Sequence, residues 1–252
     1  MKNTKVSKEE MDFLKKYDAS EFKHPSVTAD VVIFTLDSSD ELCILLIKRG
    51  EHPFKGSWAI PGGFLRAGEE SIDEAAAREH KTETNIDNVF LKQLYTFGNL
   101  GRDPRTTVIS VAYTALVPKH QLDIKAGDDA QDAKLFKIKY DVEGIVFTNG
   151  DLTITESDLA FDHNEIIKMA ITRLRNRIDY EDDAFNLLRD KNEFTISELK
   201  RIYETIKNKS LDLPNFRKTF LRDYVSTGKV ADLGKTVISK GKPARLYKLI
   251  RR

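Results

Sequence analysis

The chain has 252 residues, of which 40% are hydrophobic and 32% are charged, and its formal net charge is +1. This composition excludes a disordered or collagen-like chain, and a single cysteine, Cys43, excludes an internal disulfide. No apolar run approaches the roughly 20 residues of a membrane span, and the polar N-terminus lacks the apolar segment of a secretory signal. We therefore expect a cytoplasmic protein of one or two domains that does not enter a membrane.

The first 180 residues mix strands with helices. Residues 1–25 contain a predicted short amphipathic helix, and Ser71 begins a second helix, with Glu74 three residues later as its capping-box partner. A third helix is predicted over 163–178 from its amphipathic periodicity. Runs of β-branched and apolar residues predict strands at 27–36, 42–47, 89–97, 107–117, 134–138, 145–147 and 152–155.

After Tyr180 the pattern changes to short helices, which we predict at about 183–189, 197–208 and 214–226. Two predicted strands follow, at 230–238 and 245–250, joined by the turn SKGKPA. Three helices followed by a terminal hairpin are typical of a winged helix. We therefore predict a first domain over residues 1–178 and a second over residues 179–252.

The charges are divided between the same two parts of the chain. Residues 191–252 carry 16 Lys and Arg against 6 Asp and Glu, whereas residues 1–190 carry 25 against 34. A basic segment attached to an acidic body indicates a polyanionic partner for that segment, and nucleic acid is the first choice. The alternative is a solvated basic surface that has no partner.

A glycine-rich loop followed by a helix carries the clearest chemical pattern. Gly62 and Gly63 allow the backbone to turn tightly and to approach a diphosphate closely. Glu79 and Glu83 are four residues apart, so they are neighbours on the helix surface, where Mg²⁺ would offset their repulsion. Without the loop before it, this pair would indicate only an exposed acidic face.

This segment, GGFLRAGEESIDEAAAREHKTETNI, resembles the Nudix box. The resemblance implies an α+β fold, a Nudix α/β/α sandwich with a mixed sheet, and it makes Glu79 and Glu83 candidate catalytic residues. It also implies a possible Mg²⁺ site formed by Glu70, Glu79 and Glu83. Two departures weaken the implied hydrolase: Glu70 lies one residue too far from Gly63, and Thr82 replaces one of the three usual metal-binding carboxylates.

Two further clusters are candidates for the same pocket. Arg102, Asp103 and Arg105 lie in a loop between strands, where guanidinium groups can bind phosphates or hydroxyls; a turn salt bridge is the alternative. Trp58 is equally compatible with core packing and with ligand stacking. The candidate ligand-binding residues are Arg49, Trp58, Gly62, Gly63, Phe64, Arg102, Asp103 and Arg105.

Asp162, directly before the helix over 163–178, fits the N-cap position of that helix. It belongs to the segment LAFDH, which also contributes to a wider resemblance. Together with HPFKGSWAIPGGF, GNLGRDPR and the terminal GKPARLYKL, this segment resembles Nudix-related transcriptional regulators of the NrtR type and their sugar-sensing relatives.

The wider resemblance covers nearly the whole chain. It implies a Nudix-like domain that senses a small effector, either ADP-ribose, a related NAD metabolite or a sugar such as arabinose. It also implies a C-terminal winged helix that binds double-stranded operator DNA as a homodimer, in the control of NAD or pentose metabolism. The sequence does not distinguish among these effectors or give the operator.

The basic segment is compatible with this function. In LPNFRKTFLRDYV, Phe216 and Phe220 lie on an apolar side, so the basic residues of the helix can face a major groove. The terminal hairpin would then contact the DNA backbone as a wing. The candidate DNA-binding residues are Arg217, Lys218, Arg222, Lys240, Lys242 and Arg245.

The sequence therefore favours a ligand-responsive transcription regulator with weak or no hydrolysis. The alternative is an active Mg²⁺-dependent Nudix hydrolase that cleaves ADP-ribose or a related nucleoside diphosphate derivative. Thr82 argues against that alternative. A tail that binds RNA is a third possibility, but the tail lacks the interleaved aromatic residues expected for base stacking.

Overall fold

A computed structural model describes residues 7–86, 89–124, 130–142, 144–239 and 242–250. Its helices are α1 (Lys8–Lys16), α2 (Ile72–Thr84), α3 (His163–Arg177), α4 (Ile196–Lys207) and α5 (Leu213–Phe220). The first sheet contains β1 (Ser26–Leu36), β2 (Leu42–Arg49), β3 (Trp58–Ala59), β4 (Gly62–Phe64), β5 (Leu91–Phe97), β6 (Val108–Leu116), β7 (Ala130–Tyr140), β8 (Ile145–Asn149) and β9 (Leu152–Thr155). The second sheet contains β10 (Phe194–Thr195), β11 (Val230–Ser239) and β12 (Lys242–Leu249).

The first sheet is mixed, as predicted. Its main strand order is β5-β6-β1-β2-β7-β8-β9, with β3 paired to β2 and β4 paired to β1. Strands β1 and β6 are parallel, and the other pairs are antiparallel. Strand β1 is central, and all its residues from Ala29 to Leu36 are buried.

Helices cover both faces of this sheet. Side chains alternate along a strand, so Val31 and Ile33 pack in one cluster with Ala76 of α2, whereas Val32 and Phe34 pack in the cluster that contains α3. This arrangement is an α/β/α sandwich, which confirms the predicted α+β class. The capping box between Ser71 and Glu74 also forms at the start of α2.

The C-terminal part has the predicted winged-helix arrangement. Helices α4 and α5 pack beside the β11–β12 hairpin, and β10 pairs with β12. An aromatic core joins these elements: the ring of Phe220 lies 5.1 Å from that of Tyr247 and 6.3 Å from that of Phe194. Pro214 lies in the first turn of α5, where its missing N–H costs no hydrogen bond.

Several boundaries differ from the predicted ones for physical reasons. Strand β7 is longer than residues 134–138 because its two ends pair with different neighbours, β2 and β8. The helix predicted at 183–189 is a 3₁₀ segment, Asp182–Leu187, and the helix predicted at 214–226 changes from α to a π turn at Leu221–Val225. No described helix is long and apolar enough to cross a membrane.

Candidate functional site

A cavity of about 560 Å³ lies between β4, α2 and the start of α3. Its volume is in the range of small-molecule sites. The cavity brings together seven predicted ligand-binding residues and both predicted catalytic residues, namely Arg49, Gly62, Gly63, Phe64, Arg102, Asp103, Arg105, Glu79 and Glu83. Two predicted site residues, Trp58 and Glu70, do not line it.

The two glycines are required by close packing. Gly62 pairs with Asp30 and Gly63 with Ala29 across β4 and β1. A Cβ atom on Gly62 would overlap the Asp30 carboxylate and lie 2.8 Å from the carbonyl oxygen of Ala29. A Cβ atom on Gly63 would overlap the carboxylate of Glu79. The glycines therefore bring the backbone of the loop against both the sheet and the acidic helix.

Arg78 determines the position of two acidic side chains. Its Nε and Nη2 atoms donate to the two carboxylate oxygens of Glu70, at 2.9 and 2.7 Å. Its Nη1 atom donates to Glu79. The hydrogen bonds from Arg78 hold the pKa of Glu70 at about 2, well below its ordinary value. Both oxygens of Glu70 bond to Arg78, and Glu70 does not line the cavity, so the structure does not bring this predicted metal ligand into the cavity with Glu79 and Glu83.

The remaining acidic residues do not form a metal-binding set. Burial raises the pKa of Glu79, although Arg78 opposes the shift. Thr82 donates from Oγ1 to the carbonyl oxygen of Arg78 at 3.0 Å and brings no carboxylate to the cavity. Across the part of the chain that the structure describes, no three His, Cys, Asp or Glu side chains lie together as metal ligands. Glu79 and Glu83 are therefore the two predicted metal-binding carboxylates that the cavity retains.

Two arginines on the cavity wall are held by acidic partners. Arg105 donates to Asp103 at 3.0 and 2.7 Å, and these bonds lower the pKa of Asp103. Arg102, with only 4% of its side chain exposed, donates to Asp162 at 2.9 and 2.7 Å. Asp162 occupies the predicted N-cap position of α3, but its side chain makes no capping hydrogen bond, because its carboxylate accepts from Arg102 instead.

An aromatic side chain that the sequence reasoning did not single out lies among these arginines. Phe161 lines the cavity and has the positive φ of 53°, which is uncommon for a residue with a bulky side chain. The guanidinium of Arg49 lies 4.9 Å and that of Arg105 5.9 Å from the centre of its ring. Phe54 packs edge-on against it at 4.8 Å.

His163 is a second cavity residue that the sequence reasoning missed. Its Nδ1 atom accepts a hydrogen bond from the backbone N–H of Ile60 at 3.1 Å. Because Nδ1 accepts this bond, the ring carries its proton on Nε2, and burial lowers the pKa of His163 in the same sense. The segment LAFDH contained the only signal, since it places Phe161, Asp162 and His163 together at the start of a helix.

Trp58 belongs to the core and not to the cavity. It is 6% exposed, and its ring packs at a steep angle against that of Phe136, 4.7 Å away. Its carbonyl oxygen accepts a hydrogen bond from the N–H of Ala160 at 2.7 Å. Of the two roles considered for Trp58, the structure therefore supports packing, and Trp58 does not line the cavity.

The basic residues of the second part lie around a groove of about 830 Å³ between α5, the start of α4 and the β11–β12 hairpin. Arg217, Lys218 and Arg245 line it. Arg222 is paired with Asp223 at 2.5 and 2.8 Å, and Arg245 with Asp232 at 2.8 Å. Lys242 is exposed on the hairpin, and Lys240 lies outside the described residues.

Comparison with known proteins associates each part with a domain family. The NUDIX domain family matches residues 26–140, and the NrtR DNA-binding winged helix domain matches residues 184–249. The ADPR responsive transcriptional repressor NtrR of Acinetobacter baylyi is 31% identical over 242 residues, which are 95% of this chain and 88% of that protein.

Solved structures show the same two-part similarity. NrtR of Shewanella oneidensis complexed with a 27mer DNA has a TM-score of 0.69 at 29% identity, covering 89% of this chain and 93% of that chain. The NUDIX domain of the same protein complexed with ADP ribose has a TM-score of 0.53 at 32% identity, covering 66% of this chain and 98% of that chain.

Proposed function

This chain belongs to the family of Nudix-related transcriptional regulators that carry an NrtR winged helix, and from this premise we propose that ADP-ribose is the effector that controls its binding to DNA. Membership confirms the resemblance given by the sequence motifs and makes the chain a DNA-binding regulator with an effector-sensing Nudix domain. We propose both the identity of the effector and the residues that contact it.

The composition of the cavity carries the proposal for ADP-ribose. A diphosphate binds where the backbone can approach it closely and where positive charge is available. Gly62 and Gly63 allow the close approach, and the neighbouring arginines supply the charge. A nucleobase needs an aromatic face, which Phe161 provides at the same cavity. A pentose alone carries no negative charge for several guanidinium groups to neutralise. The relative from Shewanella with ADP ribose in its NUDIX domain supports the same choice.

The departures of α2 from the Nudix pattern are the argument for sensing without efficient hydrolysis. Glu79 is bonded to Arg78, and Thr82 supplies a hydroxyl where the Nudix pattern has a carboxylate. We therefore propose that bound ADP-ribose persists as a signal and is not rapidly consumed. Active hydrolysis remains the alternative predicted from the sequence, and no contact in the cavity favours it.

The proposal for DNA binding places the groove beside α5 on the duplex. Arg217 and Lys218 are exposed on α5, and among the described residues neither makes an ion pair. They are therefore available for base edges and phosphates. Lys242 and Arg245 on the hairpin would contact the DNA backbone. The charge of Arg222 is partly offset by its ion pair with Asp223, so its contribution to DNA binding is smaller.

We also propose that the regulator is a cytoplasmic homodimer with domains over residues 1–178 and 179–252. Two recognition helices related by two-fold symmetry would match two half-sites of an operator. Helix α1 supports a partner copy, because Phe13 and Leu14 on the helix and its C-cap residue Tyr17 are each at least half exposed. The boundary is supported by the two sheets, which lie on either side of it.

The test begins with a duplex selected from a random-sequence pool by repeated rounds of binding to the full chain. The affinity for this fluorescent duplex is measured by anisotropy with no ligand, with ADP-ribose and with arabinose. We expect ADP-ribose to change the affinity by about 5-fold or more, as is usual for allosteric coupling, and arabinose to leave it unchanged. Equal affinities in all three conditions, or a response to arabinose alone, would overturn the proposed effector.

A further inference from the structure

We infer that helix α3 transmits the occupancy of the cavity to the winged helix, and that Arg175 is its contact on the DNA-binding side. This inference rests on the proposed function, because it names the element that couples the two sites. A coupling element must contact both sites and must be stiff between them. Helix α3 meets both conditions through contacts within the chain itself, without any contribution from the effector or the DNA.

Three consecutive residues connect the first end of α3 to the cavity, two as lining residues and one through Arg102. Phe161 contributes its ring to the cavity wall from a backbone of positive φ, so a ligand that packs on this ring acts on a strained position. Asp162 is fixed by the two hydrogen bonds from Arg102. His163 lines the cavity and is fixed by the N–H of Ile60.

An anionic ligand would alter this end directly. Arg102 lines the cavity, and its guanidinium forms the bidentate pair with Asp162 that replaces an ordinary N-cap. A phosphate that draws Arg102 toward the ligand weakens its hold on Asp162. The carboxylate of Asp162 then becomes free to turn toward the N–H groups of the first turn of α3, and the helix start changes its position.

The other end of α3 is bonded to the DNA-binding domain. Arg175 donates from Nε to the carbonyl oxygen of Ile206, in the last turn of α4, at 3.0 Å. Its guanidinium also lies 4.7 Å from the centre of the Tyr140 ring, which fixes the side chain against the first sheet. Helix α4 packs directly on α5, so a movement of α4 displaces the recognition helix.

Between these ends, α3 is suited to move as a rigid body. Its 15 residues make a rod about 22 Å long. Its buried residues Ile166, Ile167, Ala170 and Ile171 belong to one apolar cluster that also contains Leu199, Ile202 and Ile206 of α4. A close-packed cluster transmits a displacement because it cannot compress.

Two other arginines near this interface have ion-pair partners away from the cavity. Arg201 of α4 reaches Asp40 in the turn between β1 and β2, at 3.2 Å, and both side chains are nearly half exposed. Arg177 on the last turn of α3 pairs with Glu181 at 3.3 Å and does not reach α4. These two arginines are therefore matched controls for Arg175, one at the same interface and one on the same helix.

The experiment compares Arg175→Met, Arg177→Met and Arg201→Met with the wild-type chain. For each, anisotropy gives the affinity for the selected duplex with and without ADP-ribose, and calorimetry gives the affinity for ADP-ribose alone. We expect Arg175→Met to reduce the ligand-induced change in DNA affinity to within about 2-fold of unity, whereas both controls keep the wild-type ratio. The affinity of Arg175→Met for ADP-ribose stays within about 3-fold of wild type, because Arg175 lies about 18 Å along the helix from the cavity.

The outcomes separate the inference from the proposed function. If the wild-type chain shows no response to ADP-ribose, the proposed effector fails. If the wild-type chain responds and Arg175→Met responds equally, or if Arg201→Met alone loses the response, the role of α3 is overturned. Hydrogen exchange of the wild-type chain is a second measurement that does not depend on a folded variant. ADP-ribose should change the exchange of amides in the last turn of α4, and unchanged exchange there would also overturn the inference.

Discussion

Arg78 and Glu70 form a bidentate pair that closes the glycine-rich loop onto α2. The same guanidinium bonds Glu79 and donates to the carbonyl oxygen of Phe64 at 3.1 Å. Arg78 therefore fixes the positions of Phe64 and Glu79, which line the cavity, and also neutralises part of the acidic charge there.

The pair predicts the titration of Glu70. In the folded chain the pKa of Glu70 is about 2, against an ordinary 4.5, because of its bonds to Arg78. A folded-state pKa below the unfolded value means that the pair stabilises the fold above pH 4.5 and loses this contribution as the pH falls toward 2. Carbon-13 NMR of the side-chain carboxyls should show Glu70 moving toward its ordinary pKa in Arg78→Met. Glu74 is the internal control, because Ser71 and not Arg78 lowers its pKa.

The glycine contacts predict different costs for two alanine substitutions. Gly62→Ala should reduce the free energy of unfolding by about 1–3 kcal/mol, since its Cβ meets the backbone oxygen of Ala29, which cannot move aside. Gly98→Ala is the control, because its Cβ would meet only Ile109 at 3.8 Å, an ordinary contact. Urea denaturation measures both. Equal losses would show that the close approach of β4 to β1 does not constrain residue 62.

The carboxylates of Glu79 and Glu83 on α2 predict that one added carboxylate gives the chain a metal-binding site. Thr82→Glu should give the chain Mn²⁺ binding that is detectable by electron paramagnetic resonance, because it adds a carboxylate to the cavity wall beside Glu79 and Glu83. Thr82→Gln has nearly the same shape without the charge and should bind no Mn²⁺. Strong binding by the wild-type chain would show that two carboxylates suffice and would restore the hydrolase alternative.

The groove beside α5 predicts a ranking of DNA-binding residues. Arg217→Ala should weaken binding to the selected duplex by about 10-fold and reduce the slope of log affinity against log salt by about 1 if it contacts a phosphate. Arg222→Ala should have a smaller effect, because Asp223 already offsets the charge of Arg222. Anisotropy titrations at several salt concentrations measure both values. A larger effect at Arg222 would place the recognition surface on the other side of the helix.

The sequence was sufficient for those parts of the site that depend on local pattern. Gly62, Gly63, Glu79 and Glu83 lie within one loop and one helix, so their spacing determines their neighbourhood. The charge difference between the two parts of the chain likewise required no tertiary information. Both depend only on residues that are close together along the chain.

The rest of the site depends on contacts between distant segments. His163 meets Ile60 and Arg102 meets Asp162 only because α3 begins beside the loop. Glu70 lies in the loop before α2, eight residues from Arg78. The i,i+3 and i,i+4 helix spacings therefore do not predict that the two side chains meet. The orientation of the Trp58 side chain depends on the pairing of β3 with β2. In this pairing Trp58 lies opposite Lys48, and its indole ring points into the core.

The most direct test of the central claim is the affinity of the full chain for ADP-ribose, measured by calorimetry with and without saturating selected duplex. Linkage requires that DNA change the affinity for ADP-ribose by the same factor by which ADP-ribose changes the affinity for DNA. The account predicts a change of about 5-fold or more in each direction, with the two factors in agreement. Tight binding of ADP-ribose with one affinity, whether or not DNA is bound, would contradict it.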